Sequence, residues 1–303
     1  HTGEDHLICH TADEVSLTNF NGLVQEAGIA AERCTMLNPL RTPEELHKLS
    51  CLFVPDPDLL KPLWTRAQIG AKHALCGLVH SMSGEQVCRV VAELCTAPSR
   101  STDALICPSK AIQDSVHQLW DVQTDYLKHR FGKAEACPVQ THVIPIGINT
   151  DAYAGFMTPE NRKIARDAVG CSDDEIVILF IGRLNFATKA HPLPLLLAVQ
   201  EAAKQTSKKV CLIIYGYFMP QAQMEPRFKA LAQEFGSDNL KIDIIQGSDE
   251  IFPPEIGPTP VADIFTSLVD NVQESFGLTP IEAMASGLPS VVTDSDGYRD
   301  GVR

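Results

Sequence analysis

Glu175-Ile-Val-Ile-Leu-Phe-Ile181, followed directly by Gly182 and Arg183, is the stretch that decides the class of fold. It is apolar throughout rather than alternating, which is the pattern of a strand covered on both faces. On its C-terminal side similar runs recur at Lys209-Val-Cys-Leu-Ile-Ile214, Leu240-Lys-Ile-Asp-Ile-Ile245, Ala262-Asp-Ile-Phe265 and Leu288-Pro-Ser-Val-Val-Thr293. On its N-terminal side they occur at His6-Leu-Ile-Cys9, Cys51-Leu-Phe-Val54, Ala74-Leu-Cys-Gly-Leu-Val79, Asp103-Ala-Leu-Ile-Cys107 and His142-Val-Ile-Pro145. Polar segments of helical length separate the runs, so the chain reads as strand–helix–strand units building parallel sheets with right-handed crossovers. The rhythm breaks between Pro145 and Cys171, where Ile146-Gly-Ile-Asn-Thr-Asp151 reads as a turn and 161–169 as a helix. The expected organisation is α/β with two Rossmann-like domains, residues 1–149 and 150–303, and a junction near Thr150.

With 303 residues there is enough chain for two cores. Hydrophobic residues at 44% and charged residues at 21% fit a globular protein, and no apolar run approaches the roughly 20 residues of a membrane helix. A net charge of −13 argues against nucleic acid or an anionic membrane surface as the main partner, since both would be repelled. The ten cysteines are scattered, form no C-x-x-C, and several sit inside apolar runs (Cys51, Cys107, Cys211). They read as reduced thiols, which points to a cytoplasmic location.

Ligands of open parallel sheets bind beyond the C-terminal ends of the strands, so the residues after each run carry the chemistry. Arg183 follows Gly182 at the end of one strand, and Lys189 lies six positions on. A guanidinium fork and an ammonium at such a place suit a diphosphate, although a lone Arg and Lys are more often solvated loop residues. Further along stands Gln273-Glu-Ser-Phe-Gly-Leu-Thr-Pro-Ile-Glu-Ala-Met-Ala-Ser-Gly-Leu-Pro289. Thr279, Pro280 and Glu282 spell a helix start, with Thr279 as N-cap, and Gly287 closes the helix. A helix N-terminus fed by a glycine turn is a seat for phosphate. Glu282 fits a capping role and a binding role equally well. Glu274 precedes the turn and needs another partner.

Glu274 and Glu282, with Phe276-Gly277 between them and Glu-Ala-Met-Ala-Ser-Gly-Leu-Pro after, resemble the two-glutamate signature of family 4 retaining glycosyltransferases, which have the GT-B fold. Gly182-Arg183 with Lys189, Ala262-Asp-Ile-Phe265 and Asp294-Ser-Asp-Gly-Tyr-Arg-Asp300 fit the same family in order and separation, over about residues 140–303. The resemblance implies two Rossmann-like domains facing a central cleft. It assigns the donor diphosphate to Arg183 and Lys189, the hydroxyls of the transferred sugar to Glu274, and the ribose to Glu282. Backbone amides around Phe276, Gly277 and Leu278 would contact sugar and phosphate, and the loop at Gln246 and Gly247 would flank the base. Tyr215-Gly-Tyr-Phe218 departs from the family, which commonly has a second glycine there.

The first half matches less closely. Leu78-Val-His80-Ser-Met-Ser83 resembles the strand end at which many members place a histidine near the donor sugar, which favours His80 over His10 or His73. The family's usual opening is not found ahead of His6, and the chain stops at Arg303 where related chains continue, so the resemblance implies a sequence cut at both ends.

The implied reaction moves a glycosyl group from a nucleoside diphosphate sugar to an acceptor hydroxyl with retention, by front-side attack. Cations and helix amides would stabilise the leaving diphosphate in place of a metal, and no cofactor beyond the donor substrate is called for. Asp294 and Asp296 flank a turn without evident partners for a metal site. The rivals are a non-catalytic nucleotide-sugar-binding protein and another enzyme on the same architecture, such as a sugar-nucleotide epimerase or a phosphorylase.

Overall fold

The computed structural model describes residues 7–10, 14–30, 34–37, 43–186, 189, 191–218, 224–270 and 274–302. They form two compact units, one made of 1–78, 89–106 and 119–141, the other of 79–88, 107–118 and 142–303. Among the described residues no helix is long and apolar enough to cross a membrane.

The first unit begins with β1 (Leu7–His10), α1 (Glu14–Glu26) and β2 (Cys34–Leu37), the two strands pairing in parallel. Then come β3 (Cys51–Val54), α2 (Leu60–Ile69), β4 (Ala74–Leu78), α3 (Glu85–Glu93), β5 (Ala104–Cys107), α4 (Lys110–Phe131) and β6 (Gln140–Val143), with α3 and α4 contributing to both units. The sheet order is β3-β4-β5-β6. Its anchor is a buried ion pair. Arg66, on α2, places both terminal nitrogens on the Asp103 carboxylate at 2.5 and 2.8 Å, and both residues are fully buried. Most of the remaining hydrogen-bonding capacity is used locally: Arg66 donates to the carbonyls of His73 and Pro98, and Asp103 accepts from the Leu75 and Arg100 amides, while Arg66 Nε is buried without a partner. Such satisfaction is what lets charges leave water.

The second unit carries α5 (Thr150–Phe156), α6 (Pro159–Val169), β7 (Ile176–Leu184), α7 (Pro192–Lys204), β8 (Val210–Phe218), α8 (Glu225–Phe235), β9 (Leu240–Gln246), β10 (Ile264–Ser267), α9 (Leu278–Ala285), β11 (Ser290–Val292) and α10 (Asp296–Gly301). Its sheet is parallel, in the order β11-β10-β7-β8-β9. β7 and β8 are buried on both faces, as their unbroken apolar runs require. Val177, Leu179, Cys211 and Ile213 join Ala165, Phe265 and Ala283 on one side. Ile178, Phe180, Leu212 and Ile214 meet Leu195, Leu196 and Phe228 on the other. Asp263 repeats the device of Asp103: it stands just before a strand, takes Arg166 and Arg162 of α6 at 2.7 and 2.5 Å, and accepts the Val177 amide.

Three local readings differ from the sequence expectation. The stretch expected to be only a turn after Ile146 continues into α5, which Asn149 caps by accepting from the Ala152 amide. The four-residue strand β2 adds to the ten runs read from the sequence. The helix expected to start after Thr279 starts at Leu278, with Gly277 as its N-cap at φ 87° and Pro280 in its first turn. Gly277 makes the turn by left-handed backbone, so no side-chain cap is needed, and the missing Pro280 N–H falls among amides that have no partner inside the helix. Gly287 does close the helix, at φ 75°, with its amide on the Met284 carbonyl and that of Leu288 on Ala283.

Candidate functional site

Parallel pairing in the second unit aligns Gly182 of β7 with Gly216 of β8, and Gly216 with Gln246 of β9. The residues that follow therefore emerge along one edge of the sheet. A β-carbon on Gly216 would lie 1.7 Å from the Gly182 carbonyl oxygen, so the strands meet there only because Gly216 has no side chain. The departure at Tyr215-Gly-Tyr-Phe218 is accommodated by continuing β8 through Phe218, paired with Leu184. Tyr217 is exposed, with its ring edge over the α-carbon of Gly247, where a β-carbon would come within 2.3 Å. Gln246 and Gly247 lead into a single 3-10 turn, 247–249, in which Gln246 and Asp249 cap each other reciprocally. The Gln246 side chain is thus engaged in shaping its own loop.

Arg183 is exposed near the end of β7. Asn185 follows, buried, and its carbonyl accepts the Lys189 amide at 3.2 Å. The Lys189 ammonium pairs with the Glu274 carboxylate through Oε2, both side chains being largely buried. Two residues 85 positions apart, both singled out from the sequence, are thereby in direct contact.

Glu274, Ser275, Phe276 and Gly277 form a buried segment leading into α9, and Leu278 is exposed at the first helical position. α10 supports the segment. The Gly297 amide donates to the Glu274 carbonyl at 3.1 Å, and a β-carbon on Gly297 would lie 2.4 Å from the Phe276 nitrogen. The Tyr298 ring lies against Gly277, where a β-carbon would be 2.2 Å away. Gln273 lies outside the described residues. Glu282, on α9, lies near the Tyr153 hydroxyl of α5; burial, then this carboxylate, push the Tyr153 pKa up to about 12.

His80 is exposed and belongs to the second unit. Its carbonyl accepts from Ser275 Oγ at 2.6 Å, so its backbone adjoins the residue after Glu274. Ser109 Oγ donates to the Ser275 carbonyl at 2.6 Å, and the Lys110 amide to Asp300. His73, by contrast, is buried; that burial and then Arg66 hold its pKa below the ordinary imidazole value. The His10 side chain lies outside the described residues. The contacts of Ser109, Tyr153, Ser275 and Tyr298 are the ones sequence reading missed. Ser275 and Tyr298 lay in stretches already singled out, and type alone gave neither of them a role. An open groove of about 460 Å³ between α8 and β9, bordered by Lys229, Gln233, Lys241 and Asp243, contains none of the expected site residues.

The family model described as "Glycosyl transferases group 1" matches residues 161–303. A D-inositol 3-phosphate glycosyltransferase of Geodermatophilus obscurus is 29% identical over 171 residues, which is 55% of this chain and 36% of that protein. One from Mycobacterium bovis is 29% identical over 175 residues, 55% of this chain and 32% of that protein. The chain therefore spans only about a third of the length of these relatives. Among solved structures, Anabaena Alr3699/HepE in complex with UDP superimposes with TM-score 0.63 at 17% identity, covering 93% of this chain and 72% of that one. A UDP-forming trehalose-phosphate synthase from Burkholderia xenovorans gives TM-score 0.56 at 15% identity, covering 95% and 66%. By sequence, residues 161–303 match the group 1 glycosyl transferases, and by structure the chain has the GT-B fold of glycosyltransferases.

Proposed function

We propose that the chain carries the donor site of a family 4 retaining glycosyltransferase, which moves a sugar from a nucleoside diphosphate sugar to an acceptor hydroxyl. The supporting observation is the Lys189–Glu274 pair at the head of α9, which brings a phosphate-type cation and a sugar-type carboxylate side by side. An ammonium has three donors, so Lys189 can hold Glu274 with one and a phosphate oxygen with another.

In this reading Arg183, Lys189 and the amides at Gly277 and Leu278 take the diphosphate. Glu274 takes hydroxyls of the transferred sugar, Glu282 the ribose, and the loop at Gln246 and Gly247 the base. His80 lies near the sugar, its backbone tied to Ser275. The anomeric carbon–oxygen bond to the diphosphate breaks, leaving negative charge on the departing oxygen, which the cations and amides stabilise. The acceptor oxygen forms the new bond on the same face and its proton passes to the leaving phosphate. No metal is assigned a part. UDP is the first nucleotide to try, because the structural neighbours named above are UDP-bound or UDP-forming.

Calorimetry with UDP, GDP and ADP tests the site. Arg183→Ala and Lys189→Ala should each weaken the bound nucleotide by about 1.5–3 kcal/mol, the scale of a charge-assisted hydrogen bond. Unchanged affinity in both variants refutes the diphosphate assignment. Binding without transfer or slow hydrolysis of the sugar nucleotide would make the chain a binding protein instead.

A further inference from the structure

Tyr298 is one of the largest fully buried side chains, and its hydroxyl is not idle. The ring alone would fill the space beside Gly277. Burying the hydroxyl costs stability unless it is hydrogen-bonded, so its presence requires polar partners. Two are at hand. Ser267 Oγ, at the end of β10, lies 2.7 Å away, and Glu274 Oε2 is 3.5 Å off.

The proton inventory orders these contacts. An ionised carboxylate only accepts, so the single phenolic hydrogen goes to Glu274, and the serine hydroxyl donates to the phenol oxygen. A phenol that receives a hydrogen bond is a better donor through its own hydrogen, since linked hydrogen bonds polarise one another. Lys189 reaches the same oxygen, Oε2. With Oε2 engaged from two sides, the carboxylate cannot rotate without losing both contacts.

We infer that Tyr298 is a positioning residue, whose hydroxyl, backed by Ser267, fixes the rotation of the Glu274 carboxylate for the hydroxyls of the transferred sugar. This rests on the assignment of Glu274 to the sugar. It adds a division of labour: Lys189 serves sugar and diphosphate together, while Tyr298 serves the sugar alone.

The test compares wild type, Glu274→Gln and Tyr298→Phe by calorimetry with UDP-glucose against UDP, and with GDP-mannose against GDP. The quantity read is the excess affinity for the sugar nucleotide over the bare nucleotide. Phenylalanine keeps the ring packed on Gly277 and removes only the hydroxyl. Tyr298→Phe should leave bare-nucleotide affinity within about twofold and reduce the excess by about three- to tenfold, the worth of one hydrogen bond. An excess lost in Glu274→Gln but retained in Tyr298→Phe overturns this inference and leaves the sugar assignment standing. Equal weakening of both ligands by Tyr298→Phe also overturns it, since a merely structural tyrosine would act that way. An excess untouched by Glu274→Gln, or absent from wild type with both pairs, removes the assignment of Glu274 and the inference with it.

Discussion

Replacing Gly216 by alanine tests whether the two central strands carry the site on their closest approach. The new β-carbon would sit 1.7 Å from the Gly182 carbonyl oxygen, whereas real β-carbons keep at least 3.0 Å, so the strands would have to part by about 1.3 Å. The obstacle is backbone on a paired strand, and no rotamer change relieves it. Parallel strands lie about 4.8 Å apart, so an opening of that size breaks the neighbouring ladder bonds. Two lost bonds at about 1 kcal/mol each, added to overpacking of about 1–3 kcal/mol, give a destabilisation of about 3–5 kcal/mol. Thermal unfolding followed by far-ultraviolet circular dichroism should show a midpoint lowered by about 6–20 °C at that cost for a domain of this size. Gly182→Ala is the control, because its nearest neighbour would be the edge of the Phe180 ring at 3.1 Å, which can yield. It should cost about 1 kcal/mol or less. If Gly216→Ala unfolds within about 2 °C of wild type, or no lower than Gly182→Ala, the close approach is not a constraint, and the register that aligns Arg183 with Tyr217 loses its support.

Asp103→Ala should cost the first unit about 3–5 kcal/mol in urea unfolding, because it leaves Arg66 charged and unpaired in the core; a loss under about 1 kcal/mol would mean the pair is not buried in solution. Burial alone would raise the Asp263 pKa, but the Val177 amide and the Arg162 and Arg166 guanidinium groups outweigh it and hold the carboxyl below its ordinary value. A depressed folded pKa contributes stability above the unfolded value of about 3.9 and loses it as pH falls through the folded one. Acid titration of stability should therefore show a loss below about pH 4 that is smaller in Asp263→Asn, and identical slopes would refute the linkage. Tyr153→Phe should weaken UDP by about 0.5–1.5 kcal/mol in calorimetry while sparing 2′,3′-dideoxy-UDP, if the hydroxyl orients Glu282 toward ribose; equal loss for both ligands would make the contact structural.

Strand positions were legible wherever burial on both faces forced a continuous apolar run. That holds for β7 and β8, whose odd and even residues enter separate cores. It fails for β2, where Cys-Thr-Met-Leu is too short and too mixed to stand out. It fails also for α5, a helix with no buried residue and hence no apolar stripe to read. Residues 144–149 are irregular backbone without a regular turn, and Asn149 uses its side chain to begin the helix. At α9 the cap chemistry of Thr279 misled because the conformation of Gly277 started the helix earlier.

The same distinction runs through the site. Charge is written in residue type, so Arg183, Lys189 and Glu274 stand out at strand ends before any coordinates exist, and Lys189 does meet Glu274. The hydroxyls beside Glu274 and Glu282 carry no such mark, since serine and tyrosine occur throughout the chain and acquire roles only from what packs beside them. What brings Tyr298 to Glu274 is the passage of α10 beneath 274–277, and that passage leaves its trace in two glycines that admit no β-carbon, Gly277 and Gly297. Glycine spacing thus records a backbone approach, and the approach selects the polar group that orients the charge. A reading of function from sequence that follows charges alone stops one contact short of the residue that aims them.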